Sequence, residues 1–154
     1  MTSTAPVVTH RIVVGIDGSP SSGAALEWAL RQAQLTGATL EAVTSWEWPS
    51  AGGFGMLAPS DFDPEKDGQS VLDDALSSVE GDRDGVKIDS KLVAGPAAMV
   101  LVDASVGADL LVVGNRGHSE LASLVLGSVS DHCVTHAHSP VVIIREGEGN
   151  DDAG

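Results

Sequence analysis

Leu110-Leu111-Val112-Val113-Gly114-Asn115-Arg116-Gly117 is the stretch on which the reading turns, because a short apolar run passes straight into a glycine-bearing turn. Four consecutive apolar residues bounded by turn residues read as a strand buried on both faces, the kind found in parallel sheets. Nine residues later, His118 to Leu126, a second glycine turn, Gly127-Ser128-Val129-Ser130, opens a segment with helical spacing to His136. Strand, glycine turn and helix start in that order place two backbone turns on one crevice. Glycine lets backbone approach an anion without an intervening Cβ and permits dihedrals that aim amides at it. A helix start adds unpaired N–H groups and a favourable dipole. Ser128 and Ser130 offer hydroxyls, and Arg116 offers charge. The spacing equally fits a plain turn at Gly114 and Gly117 with Ser128 capping the helix.

Working outward, apolar runs alternate with helix-period segments. Ile12 to Ile16 reads as strand one, and Ser22 to Leu35 as a helix, with Ala25, Trp28, Ala29 and Gln32 marking its faces and Gly37 its end. Leu40 to Thr44 reads as strand two, Val71 to Val79 as part of helix two and Val86 to Val93 as strand three. The alternation Val86, Ile88, Ser90, Leu92 suits an edge strand. Pro96 to Val106 reads as helix three, Gly127 to His136 as helix four and Val141 to Ile144 as strand five. This alternation predicts an α/β fold, a parallel sheet with right-handed crossovers and helices on both faces. Ligands of such folds sit beyond the carboxyl ends of the strands. That singles out Asp17, Gly18 and Ser19 after strand one, Ser45 and Trp46 after strand two, and Gly114 to Gly117 after strand four. Asp17 also suits an Asx turn or helix cap ahead of Pro20.

The 154 residues suit one domain: a flexible leader over 1–9, a folded core over 10–145 and a disordered acidic tail over 146–154. The Gly- and Pro-rich connection from Glu47 to Asp67, ending in Asp61, Asp63, Glu65 and Asp67, reads as a solvated loop, with a ligand-covering lid over Gly52 to Asp67 as the sharper alternative. Formal net charge is −14 and the eight cations are scattered, so a nucleic-acid or anionic-membrane surface is not expected. Any phosphate must be held locally. No apolar run reaches the length of a membrane span. A single Cys133 and the absence of a signal-peptide pattern favour a reducing, cytoplasmic setting.

The pattern Gly114-x-x-Gly117, nine residues, Gly127-Ser128 resembles the ATP-binding signature of the universal stress protein family. Three further blocks share the likeness: Ile12 to Ser19, Ala108 to Gly114 and Pro140 to Ile144. The resemblance implies an open five-stranded sheet of order 3-2-1-4-5, Rossmann-like and similar to the adenine nucleotide alpha hydrolase fold, with ATP crossing the ends of strands one and four. Residue by residue it implies Asp17, Gly18 and Ser19 near ribose, phosphate or a Mg²⁺ held between the phosphates and Asp17. Val43 would face adenine with its backbone groups, and Gly114, Asn115, Arg116, Gly117, Gly127, Ser128, Val129 and Ser130 would hold ribose and phosphates. The family more often carries Ser or Thr at Asn115 and Cys at Ser139. It also implies a homodimer through Val141 to Ile144, a sheet edge without an internal guard, and an unidentified regulatory partner.

Neither a P-loop nor a dinucleotide fingerprint is present, and no residue stands out as a catalyst. Nucleotide holding is therefore expected, with slow hydrolysis at most. An adenylate-using enzyme and a nucleotide-independent interaction dimer are the alternatives. His132 and His136 are four apart with His138 following, a spacing that can bind a transition metal, but Cys133 stands where a metalloprotease would need Glu. The sequence alone favours a polar helix end there, and a small core role for Cys133.

Overall fold

The computed structural model describes residues 9–48, 61–117 and 126–146. The elements run β1 (Arg11–Gly15), α1 (Pro20–Thr36), β2 (Thr39–Trp46), α2 (Pro64–Ser78), β3 (Ile88–Ala94), α3 (Ala97–Ala104), β4 (Leu110–Gly114), α4 (Ser128–His136) and β5 (Val141–Ile144). The five strands form one parallel sheet of order β3-β2-β1-β4-β5.

Successive side chains of a strand point to opposite faces, so each strand feeds two cores. Ile12, Val14, Leu40, Ala42 and Val112 pack on one face against Ala25, Leu26 and Ala29 of α1 and Leu72 of α2. Val13, Val43, Leu111 and Val113 pack on the other against Val100 and Leu101 of α3 and Cys133 of α4. Burial on both faces is why the central strands read as unbroken apolar runs. At the edge, β3 has no fully buried residue, in keeping with its alternation.

Several boundaries differ from the sequence expectation. Strand β2 runs on to Trp46 because Ser45 and Trp46 pair with Val93 and Ala94. Helix α1 begins at Pro20, with Ser19 as N-cap accepting from the Ser22 amide, and ends at Gly37 in the left-handed conformation. The larger difference is α2, which starts at Pro64, seven residues ahead of Val71, inside the stretch expected to be loop. Asp63 caps it by accepting from the Lys66 amide, Pro64 occupies the first turn, and Glu65 and Asp67 meet the positive end of the helix dipole. Those acids are a helix start. Of the expected Glu47 to Asp67 connection, residues 49–60, which hold most of the expected lid over Gly52 to Asp67, lie outside the described residues, as do 1–8 and 147–154, where most of the expected leader and tail fall.

Candidate functional site

A cavity of about 400 Å³ opens at the carboxyl ends of β1, β2 and β4, against the first turn of α4. Nine of the twelve nucleotide-binding residues that the family resemblance implies line it: Asp17, Val43, Gly114, Arg116, Gly117, Gly127, Ser128, Val129 and Ser130. Gly18, Ser19 and Asn115 do not, and each works behind the wall. Gly18 takes a positive φ of 83°, turning the chain from β1 into α1. Ser19 donates from its amide (2.8 Å) and its hydroxyl (2.5 Å) to Asp17 Oδ1, the Asx turn the sequence allowed, which fixes the carboxylate at the cavity edge. The carbonyl of Asn115 accepts from the Gly127 amide at 2.7 Å and from Ser130 Oγ at 3.2 Å, while its own amide donates to Ile144 at 2.9 Å. Asn115 thus ties the two glycine turns together and both to β5. Its Oδ1 is buried with no hydrogen-bond partner among the described residues.

The glycines act through space and not through unusual dihedrals. Gly114, Gly117 and Gly127 are absent from the positive-φ residues, so the dihedral part of the sequence argument does not hold for them. At Gly114 an added Cβ would lie 2.7 Å from the backbone carbon of Ser21, because α1 crosses directly over the end of β4. At Gly117 it would meet Asp17 Oδ2 at 3.0 Å. At Gly127 it would lie 3.4 Å from Arg116 Cα, between the turns.

Helix α4 has Gly127 at its N-cap position and no side chain capping it, so Ser128 is not the cap. The amides of Ser128, Val129 and Ser130 consequently lack intrahelical acceptors at the cavity wall. Arg116, with its side chain 29% exposed, meets Glu146 at 4.0 Å, its one ion pair among the described residues. Val43 is almost wholly buried, and its carbonyl already accepts from Ile16 at 2.9 Å, so an apolar side chain is what it chiefly presents. The donor set fits a phosphate: the residues with uncapped amides, the Ser128 hydroxyl and the Arg116 guanidinium all line this part of the cavity, and apolar side chains line the rest.

Sequence reasoning missed that recess. Ala97 and Leu101 of α3 and Val113 line it, and Leu101 reaches over Gly15, whose added Cβ would lie 2.8 Å from its Cδ1. It also missed Ser21, whose hydroxyl donates to the Arg116 carbonyl at 2.6 Å and holds the first turn from behind. The Ser45 flagged after strand two does line the cavity. His118 lies outside the described residues. Cys133 is buried in the core, and desolvation pushes its thiol up to about 11, so it stays protonated and inert at neutral pH.

A model of the universal stress protein family matches residues 9–145. Among curated proteins, universal stress protein Rv2623 of Mycobacterium tuberculosis is 39% identical over 147 residues, covering 88% of this chain and 47% of that protein. A universal stress protein of Mycolicibacterium smegmatis is 29% identical over 149 residues, covering 94% of this chain and 50% of that one. The chain thus spans about half the length of the curated relatives it matches. Among solved structures, the universal stress protein UspA of Lactobacillus plantarum superposes with a TM-score of 0.74 at 20% identity, over 91% of this chain and 100% of that one. A universal stress protein in complex with cAMP gives 0.67 at 28% identity, over 92% and 100%.

Proposed function

The chain belongs to the universal stress protein family, and from that footing we propose that it binds an adenine nucleotide, ATP foremost, as a nucleotide-dependent stress-response or regulatory protein. The observation that carries the reading is the cavity itself, apolar at one end and rimmed by the glycine turns and the uncapped first turn of α4 at the other. Adenine is planar and largely apolar, and the recess between Val43, Ala97, Leu101 and Val113 suits it. Asp17, held by Ser19, suits a ribose hydroxyl or a Mg²⁺ that the phosphates also ligate. The amides of Ser128, Val129 and Ser130, the Ser128 hydroxyl and Arg116 suit the phosphates, which must be gripped locally in a chain of net charge −14, while the Ser130 hydroxyl is spent on the Asn115 carbonyl. The related structure in complex with cAMP supports an adenine nucleotide more broadly than ATP alone.

Holding, and not turnover, is the reading. Among the described residues lining the cavity no lysine or histidine is present to act on a phosphate, and Asp17 is committed on one oxygen to Ser19. Bound nucleotide would order the rim and alter what a partner protein meets, a population shift that requires different affinities for the two rim states. Strand β5 is a sheet edge with four partly buried apolar residues, which supports a homodimer through Val141–Ile144. Relatives of about twice this length have room for a second such unit in one chain. A reducing cytoplasmic setting accords with the lone protonated thiol. Among the described residues no helix is long and apolar enough to cross a membrane.

The test is to examine purified protein for co-purifying nucleotide and then titrate it with ATP, AMP and cAMP. Saturable ATP binding that Gly127→Val abolishes is expected, because valine methyls would fill the gap between the turns. Absence of binding, or a Gly127→Val variant that binds as well as the parent, would sink the reading.

A further inference from the structure

The imidazole rings of His132 and His136 lie against each other on α4, with centroids 4.3 Å apart and planes inclined at 41°. They are one helical turn apart and so share a side of the helix, while Cys133 between them turns into the core. His132 is partly open to solvent and His136 is exposed. Neither ring has a hydrogen bond or ion pair among the described residues. His10 is the contrast, since its Nδ1 meets Asp109 Oδ2 at 2.6 Å. A favourable helix dipole accounts for a histidine in the last turn of α4. It does not account for a second one pressed against it, since two imidazolium cations would repel.

Two adjacent imidazoles with uncommitted nitrogens can chelate. Metal–nitrogen bonds of about 2.0–2.1 Å at tetrahedral or square-planar angles hold two ring centroids roughly 4.5–5 Å apart. The observed 4.3 Å is close enough that side-chain rotation alone could close the rings on an ion. We propose that His132 and His136 form a two-imidazole site for a divalent late first-row metal ion of the Zn²⁺, Cu²⁺ or Ni²⁺ kind, with water completing the coordination. Imidazole selects these ions over Mg²⁺ and Ca²⁺, which take oxygen ligands. The net charge of −14 concentrates cations around the chain. Among the described residues no group of three or more His, Cys, Asp or Glu could hold a metal, so the site is open and exchangeable, unlike a closed structural centre. It stands apart from the nucleotide reading, since neither histidine lines the cavity.

The experiment uses the full chain without an affinity tag. Calorimetric titration with Zn²⁺ should show one ion per chain at this site, and His132→Asn and His136→Asn should each weaken it by roughly tenfold or more. The double variant should lose it, and His10→Asn and His138→Asn should keep it. On the native protein, substoichiometric Cu²⁺ should broaden the His132 and His136 imidazole resonances ahead of the other three histidines. That reading needs no variant to fold. Failure to bind Zn²⁺, undiminished binding by a folded double variant, or equal broadening of all five histidines would overturn the site.

Discussion

Arg11 and Arg116 have side chains 27% and 29% exposed, yet the molecule uses them in opposite ways. Arg11, at the start of β1, donates to Glu41 at 2.6 Å and to the carbonyls of Ala104 and Val106 at 2.9 and 2.7 Å. Lys91 reaches the other oxygen of the nearly buried Glu41 at 3.0 Å. Charge at that end of the sheet is consumed within the fold and ties β1, β2 and β3 to the end of α3. At the carboxyl ends, among the described residues, Arg116 has only the exposed Glu146 at 4.0 Å, α4 begins uncapped, and Asn115 Oδ1 is buried without a partner. Saturated polar groups mark a region built for stability, and unpaired donors and acceptors mark one built to receive something.

The sharpest way to break that contrast is Arg11→Met. Removing one partner of a buried pair costs about 3–5 kcal/mol, and the partial exposure of Arg11 with Lys91 remaining reduces this to about 2–4 kcal/mol. Urea unfolding should read that loss while nucleotide affinity is unchanged; a variant as stable as the parent would remove the assignment of this end to stability. Arg116→Gln should do the reverse. Stability should stay within about 0.5 kcal/mol, whereas ATP affinity falls about tenfold and adenosine affinity does not, as calorimetry would show. A smaller effect is expected for Ser130→Ala, which loosens the brace to Asn115 and Gly127 and costs about 1 kcal/mol in denaturant unfolding. Lys91→Met should be mildest, under about 1 kcal/mol, because that side chain is 57% exposed.

How legible each end was follows from how local its physics is. The glycine spacing at 114, 117 and 127 announced two turns on one crevice because each turn directly adjoins its own element, the first the end of β4 and the second the start of α4. Both cores were legible from the apolar runs, and the β3 edge from its alternation. Leu101 and Ser21 gave no local sign, because their role depends on which helix lies over which strand end. The start of α2 was misread for another reason: Asp63-Pro64-Glu65 is a helix cap, but an acidic run after glycines also has the composition of a solvated loop. The Arg11–Glu41–Lys91 cluster was invisible in sequence, since β1, β2 and β3 meet only through register.

Gly114 sits where α1 rides on β4, and its added Cβ would strike the Ser21 backbone whether or not any ligand is present. At 117 the obstacle is a side-chain oxygen of Asp17 at 3.0 Å, which need give by only a few tenths of an ångström, and at 127 the contact is an ordinary one. A saturation library selected only for soluble, folded yield should therefore retain glycine at 114 and admit alanine at 117 and 127. Descendants that abandoned the ligand would be free to erase the later letters of the motif and obliged to keep the first. For deciding which relatives still bind, the first glycine is silent and the other two are informative.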